Sequence, residues 1–354
     1  MANWGSTHRS GIRGHDHYRD RTHFGARGVS VYSATRILLN QVEVLAHPNV
    51  ALIKYWGKRD ETEKIPASPS LSITLGGLET RTSVSKSGDD TIFIDGQSVS
   101  DQKISQWLDR LRREYDIPQL MIESSNNFPK NCGFASSSSG FAALAVAIDE
   151  LCGLNLDFAS LARITRLGSA SAVRSLLSGY VAMNPDDQRC VPVQIVPPDY
   201  WNLRVVAAVT STEPKLTSST GGMAQTVATS PFYQNWVVQT EDDFERCSEA
   251  IQNRDFNTLA ELSEANCYRM HALMMTTLPP LRYWRAGTMS AIDTIERLRH
   301  DGVPVFFTSD AGPQIKAICE PEAIATVKDA LDDTDGVLFT LESDIGNAPT
   351  ISAR

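Results

Sequence analysis

The sequence predicts an α+β protein. Strand-like segments gather in neighbouring pairs joined by turns, and helices come in blocks rather than alternating with strands. The composition, 354 residues with 42% hydrophobic and 21% charged, is ordinarily globular and sufficient for one large or two medium domains.

The elements follow in chain order. Residues 41–46, 70–75 and 80–85 read as strands, and 91–94 runs into a hairpin turn at Asp95-Gly96. Residues 104–115 form an amphipathic helix, with Ile104, Leu108 and Leu111 on one face. A strand at 120–124 leads into a serine-rich loop and a helix at 140–151, then a further helix at 158–167. Segments 179–183 and 191–195 look like paired strands, and 203–209 is a strongly apolar strand. Helices are expected at 242–253, 256–274, 288–301 and 320–332, with strands at 303–307 and 336–341. A lobe boundary is expected near residue 200, giving an N-terminal lobe at 41–200 and a C-terminal lobe at 201–354.

Residues 1–40 differ from the rest, holding six arginines, two acidic residues and four of the seven histidines. They read as a disordered extension; an upstream start codon, vector residues and an organelle transit peptide are the competing readings. No apolar run reaches the ~20 residues that span a bilayer, so a cytoplasmic protein without membrane or nucleic-acid partners is expected. The net charge of −9 also argues against a nucleic-acid binder. The six cysteines, at 132, 152, 190, 247, 267 and 319, form no Cys-x-x-Cys pair and read as reduced thiols.

Five segments carry chemistry. In Gly133-Phe-Ala-Ser-Ser-Ser-Ser-Gly140, a small-residue turn feeds a helix N-terminus, whose unpaired N–H groups and dipole favour phosphate. In Lys54-Tyr55-Trp56-Gly57-Lys58-Arg59, cations crowd at the end of an apolar strand, which suits a multiply charged anion. Gly168-Ser169-Ala170-Ser171-Ala172-Val173-Arg174 pairs small residues with one arginine able to grip a carboxylate or phosphate. Residues 216–223 form a hydroxyl-rich turn before a helix. Asp310-Ala-Gly-Pro313 ends an apolar strand, where a carboxylate can orient or deprotonate a hydroxyl, or simply stabilise the loop.

In register, these segments resemble the diphosphomevalonate decarboxylases, of the superfamily of galactokinase, homoserine kinase, mevalonate kinase and phosphomevalonate kinase. Residues 66–75, Asn127-Phe128-Pro129, Met270-His271-Ala272 and 278–280 extend the match to roughly 42–345. The resemblance implies a two-lobed GHMP-kinase-like fold, with a ribosomal protein S5 domain 2-like N-terminal lobe and a ferredoxin-like C-terminal lobe. It implies a homodimer that uses ATP and Mg2+ to phosphorylate the 3-hydroxyl of mevalonate 5-diphosphate. Loss of phosphate and CO2 then gives isopentenyl diphosphate, in the mevalonate pathway of isoprenoid biosynthesis.

By the same resemblance, Asp310 would orient the hydroxyl, Lys54 would stabilise charge beside it, and Arg174 would hold the substrate carboxylate. Tyr55, Trp56, Gly57, Lys58, Lys103, Ser169, Ala170, Ser171, Ala172, Val173 and Thr220 would line the substrate site. Gly133, Ala135, Ser136, Ser137, Ser138, Ser139 and Gly140 would cradle the ATP phosphates; no metal ligand is singled out. The chain departs from the family at Ser68-Pro69, at Gln314, and at Thr220, which is arginine in some bacterial members. The alternatives are a phosphomevalonate decarboxylase that makes isopentenyl phosphate, a mevalonate 3-kinase-type enzyme without decarboxylation, and a non-catalytic binding protein.

Overall fold

Period-two burial writes the first sheet. In Gln41–Ala46, Val42, Val44 and Ala46 are buried together, and in Thr80–Lys86 the inward positions are Thr80, Thr82 and Val84. The computed structural model describes residues 40–129, 136–185, 189–214 and 217–353, all within one compact unit. Its six-stranded sheet runs Thr350–Ala353, Gln41–Ala46, Thr80–Lys86, Leu120–Asn126, Thr91–Ile94, Gln97–Ser98. All pairs are antiparallel except Thr91–Ile94 beside Leu120–Asn126. The helices Gln102–Leu111, Ser136–Cys152 and Phe158–Gly168 share a core with this sheet. Trp107 meets Phe141 edge-on there, with centroids 5.4 Å apart.

A second sheet orders Pro192–Val196, Tyr180–Met183, Ser70–Thr74 and Asn49–Ile53, all antiparallel. A third orders Val305–Thr308, Ile315–Cys319, Arg204–Val209 and Phe339–Ser343. The strand Arg204–Val209 is apolar on both faces because both are covered. Val205, Ala207 and Val209 join the core shared with the second sheet, whereas Val206 and Ala208 face the helices Ala286–His300 and Ile324–Asp332.

Two long helices, Tyr233–Asn253 and Phe256–Met275, complete the first of these cores. Two residues join them: Arg254, left-handed at φ 54°, ends one helix, and the Asp255 carboxylate caps the next by accepting from Thr258 N–H at 3.1 Å.

The structure bears out α+β and corrects particular elements. The helix expected from 140 begins at Ser136, so its serines belong to the first helical turn rather than to a loop. The helix expected from 242 begins at Tyr233, and that expected over 104–115 spans Gln102–Leu111 behind an Asp101 cap. Pro304, which has no N–H to give a ladder, delays the strand expected from 303 to Val305. Pairing is also less local than the hairpin reading implied. Thr350–Ala353 pairs with Gln41–Ala46, and Ile315–Cys319, unread as a strand, lies between Val305–Thr308 and Arg204–Val209. Residues 1–39, Cys132 and the phosphate-loop positions Gly133 and Ala135 lie outside the described residues.

Candidate active site

A cavity of about 700 Å³ gathers most of the charged motifs. Its described lining holds five cations, Lys54, Lys58, Lys64, Lys103 and Arg174, against one carboxylate, Asp310. A wall so biased in charge suits a ligand with several negative charges.

The centre of the site joins two strand ends. Lys54 follows Asn49–Ile53, and Asp310 lies two residues beyond Val305–Thr308. The Thr308 hydroxyl donates to the Ala51 carbonyl at 3.3 Å, tying the two strands together. The Lys54 N–H donates to Asn266 Oδ1 at 2.9 Å, so the helix Phe256–Met275 fixes that strand end from below. Asn266 is in turn held by Asp243, which pairs with Arg269 at 2.6 Å. The Lys54 ammonium, only 2% exposed, donates to Asp310 Oδ1 at 2.8 Å and to the Ala51 carbonyl at 2.9 Å. On the carboxylate's other side, Lys316, also 2% exposed, reaches Oδ2 at 3.7 Å.

Arg174, in the short helix Ala170–Leu176, is 3% exposed and spends its donors on neutral groups. They reach Ser72 Oγ at 3.0 Å, Ser70 Oγ at 2.7 Å and Asn49 Oδ1 at 3.1 Å. Burial holds its pKa below the usual arginine value, while nearby Tyr55 is pushed up to about 12, also by burial. A buried guanidinium whose hydrogen-bond partners are all neutral is costly unless an anion joins it. Ser70 supplies one of those partners, so the departure at Ser68-Pro69 leaves the arginine cradle intact.

Lysines define another part of the wall. Lys58 is bonded to Glu61 at 2.6 Å, and the Lys103 ammonium lies 4.7 Å from the centre of the Phe141 ring. Lys64 donates to the Gly168 carbonyl at 3.1 Å. Burial first, then the ammoniums of Lys103 and Lys58, brings its pKa down to about 8. Lys103 is likewise shifted down by burial.

Two helix N-termini reach the cavity, Ser136 and Ser137 of Ser136–Cys152, and Ser218, Ser219 and Thr220 of the helix Ser219–Thr229 with its cap.

Of the expected site residues, Lys54, Tyr55, Trp56, Lys58, Lys103, Ser136, Ser137, Ser169, Ala170, Ser171, Arg174, Thr220 and Asp310 line this one cavity. Gly57, Ala172, Val173, Ser138, Ser139 and Gly140 do not. Ala172 and Val173 are fully buried core residues. Ser138 and Ser139 face inward from the helix, and Ser139 Oγ is bonded to Thr80 Oγ1 at 2.6 Å. At Gly140 a Cβ would meet no protein atom within 4 Å. Gly57 acts on the backbone, since at φ +105° it lets the chain turn between Trp56 and Lys58.

The sequence reading missed Lys64, Lys316 and Asn266. Lys316 left a trace, a lone lysine in the apolar run Ile315-Lys-Ala-Ile-Cys319. Lys64 and Asn266 left none, because only the fold brings them to the site. Gln314 accepts from Thr210 N–H at 2.6 Å and donates to the Ser211 carbonyl, so it anchors the Asp310 loop to the third sheet.

Comparison with known proteins places the same surfaces in one family. Residues 46–191 match a model described as the diphosphomevalonate decarboxylase-like N-terminal domain. Residues 205–341 match the mevalonate 5-diphosphate decarboxylase C-terminal domain. The chain is 36% identical to the Candida albicans diphosphomevalonate decarboxylase, over 76% of this chain and 82% of that protein. It is 34% identical to the human one, over 78% and 76% respectively. Among solved structures, one described as a complex with MVAPP, AMPPCP and magnesium superposes with a TM-score of 0.83 at 33% identity, covering 89% of this chain and all of that one. The Staphylococcus aureus mevalonate diphosphate decarboxylase gives a TM-score of 0.81 at 33% identity, over 89% and 98%.

Proposed function

The chain belongs to the diphosphomevalonate decarboxylase family, and we infer that its cavity carries out the ATP-dependent decarboxylation of mevalonate 5-diphosphate. The observation that carries the residue assignments is the Lys54–Asp310 pair in one cavity with Arg174, whose hydrogen-bond partners are neutral.

The Asp310 carboxylate, its side chain partly exposed beside Lys54, accepts a hydrogen bond from the substrate's 3-hydroxyl and aims the hydroxyl oxygen at the transferring phosphoryl group. The hydroxyl passes its proton to the Asp310 carboxylate as the new P–O bond forms and the bond to the departing ADP breaks. Lys54 offsets the negative charge that gathers there. In the second half, the C–O bond to the new phosphate breaks and the carboxylate leaves as CO2. The C–C electron pair becomes the double bond of isopentenyl diphosphate. Arg174 holds the carboxylate in line for that cleavage, which its fixed fork of donors suits. Lys58, Tyr55, Trp56, Lys103, Ser169, Ser171 and Thr220 bind the rest of the substrate.

The chain's residues fit ATP with Mg2+. Ser136 and Ser137 bring hydroxyls and helix N–H groups to the wall, and the cavity volume leaves room for two phosphorylated molecules. Among the described residues, no three of His, Cys, Asp and Glu cluster as a metal cage, and a bound ion could draw on phosphate oxygens, water and the hydroxyls or the single carboxylate of the wall. Mg2+ there would neutralise phosphate charge during transfer. Two lobes divided near residue 200 are supported by the family models, one ending at 191 and the other beginning at 205, while the strand Thr350–Ala353 returns to the sheet of the first lobe. A cytoplasmic homodimer belongs to this reading through the family resemblance, and the five described cysteines are free thiols, as a reducing compartment would leave them.

The test is CO2 and ADP release, measured side by side with Mg-ATP and either mevalonate 5-diphosphate or mevalonate 5-phosphate. Matched release with the diphosphate alone is expected. Matched release with the monophosphate alone would make this a phosphomevalonate decarboxylase, and ADP without CO2 a 3-kinase.

A further inference from the structure

Among the described residues, Lys64 is the one cation of the cavity wall that the mechanism above leaves without a task. It sits in the turn between the paired strands Lys58–Asp60 and Ile65–Pro66, in the left-handed region at φ 51°. A non-glycine residue held there is strained, which is tolerated where surrounding contacts fix the conformation. Those contacts are present. The neighbouring Glu63 carboxylate binds Arg110 at 2.6 Å, Arg163 at 2.9 Å and Arg166 at 3.6 Å, pinning the turn to the helices Gln102–Leu111 and Phe158–Gly168. These arginines hold Glu63 below the usual carboxylate range, through the Arg163 hydrogen bond above all.

The pinned turn delivers Lys64 to the cavity wall that also holds Lys58 and Lys103, whose charges it feels. Among these three lysines, the close carboxylate partner is Glu61 on Lys58, itself 59% exposed. Three ammoniums gathered on one wall repel one another until an anion of more than one charge enters.

We propose that Lys64 is a substrate-binding residue that completes, with Lys58 and Lys103, a seat for a two-phosphate tail, and that it favours a diphosphate over a monophosphate. The proposal rests on the decarboxylase reading for its substrate, but its chemistry is diphosphate recognition. A single phosphate can satisfy Lys58 and Lys103; the second phosphate adds oxygens for the third ammonium.

The probe is inorganic pyrophosphate, with orthophosphate as control, titrated into the full chain and its Lys64→Met and Lys64→Arg variants and followed by calorimetry. KM and kcat for mevalonate 5-diphosphate are measured in parallel. Lys64→Met is expected to weaken pyrophosphate by about tenfold, raise KM similarly, and leave kcat and orthophosphate binding within about twofold. Lys64→Arg, which keeps the charge, is expected to recover most of the pyrophosphate affinity. Unchanged pyrophosphate binding in Lys64→Met overturns the proposal, as does a loss that falls equally on orthophosphate or that arginine fails to recover. Wild-type protein that binds pyrophosphate through Lys64 yet releases no CO2 supports the seat and sinks the decarboxylase reading instead.

Discussion

The Lys54 ammonium lies 2.8 Å from Asp310 Oδ1, joining residues 256 positions apart, and Lys54 is almost wholly excluded from solvent. With Lys316 on Oδ2, the carboxylate is fixed in orientation by two buried cations. Replacing Asp310 with Asn keeps the shape but removes the charge. Turnover should fall by about 10²–10⁴-fold while ATP and substrate still bind. Single-turnover kinetics beside equilibrium binding checks this, and near-normal turnover would remove Asp310 from the mechanism.

Arg174 should prove both catalytic and structural. Arg174→Met strands the acceptors at Asn49, Ser70 and Ser72, at a cost of about 1–3 kcal/mol of stability. Arg174→Lys restores the charge without the fork, so thermal stability should partly recover while turnover stays about 10²-fold low. Comparing Tm with kcat in the two variants separates the effects; equal recovery of both would assign the arginine to stability alone.

Gly57 should tolerate no side chain. A Cβ there would lie 2.2 Å from Tyr233 Oη and 2.7 Å from its Cε2, and the backbone is at φ +105°. Gly57→Ala is therefore expected to displace Trp56 and Lys58, lower stability by about 1–3 kcal/mol and raise the substrate KM. Tyr233→Phe should not rescue it, because the ring carbon remains. Wild-type KM in Gly57→Ala would show that the turn can shift freely.

His271 should set part of the acid limb of stability. It stacks on Trp284 with centroids 4.2 Å apart, and burial brings its pKa down to about 3. The sign follows from linkage. The folded state keeps the imidazole neutral, whereas the unfolded chain takes up a proton near the ordinary value of about 6.5. The stabilisation is therefore complete above about 6.5 and is lost as pH falls from there towards 3. His271→Phe, which preserves stacking but cannot titrate, should flatten Tm against pH between about 4 and 6.5. Identical slopes in the two proteins would contradict this.

The sequence by itself determined the chemistry-bearing motifs, because each is local. Lys54 ends an apolar strand, Asp310 sits in an Ala-Gly-Pro turn, Arg174 follows small residues, and short apolar runs mark several strands. The tertiary structure decided what those motifs touch. Residue spacing carries no record that Ser70, Ser72 and Asn49 converge on Arg174 from more than 100 positions away, or that Asn266 fixes the backbone of Lys54. It equally hides that Glu63 and three arginines turn Lys64 into the cavity. Long-range hydrogen bonds and ion pairs make those choices, and they exist only once distant elements have packed, whereas turns, caps and strand alternation are fixed by neighbours along the chain.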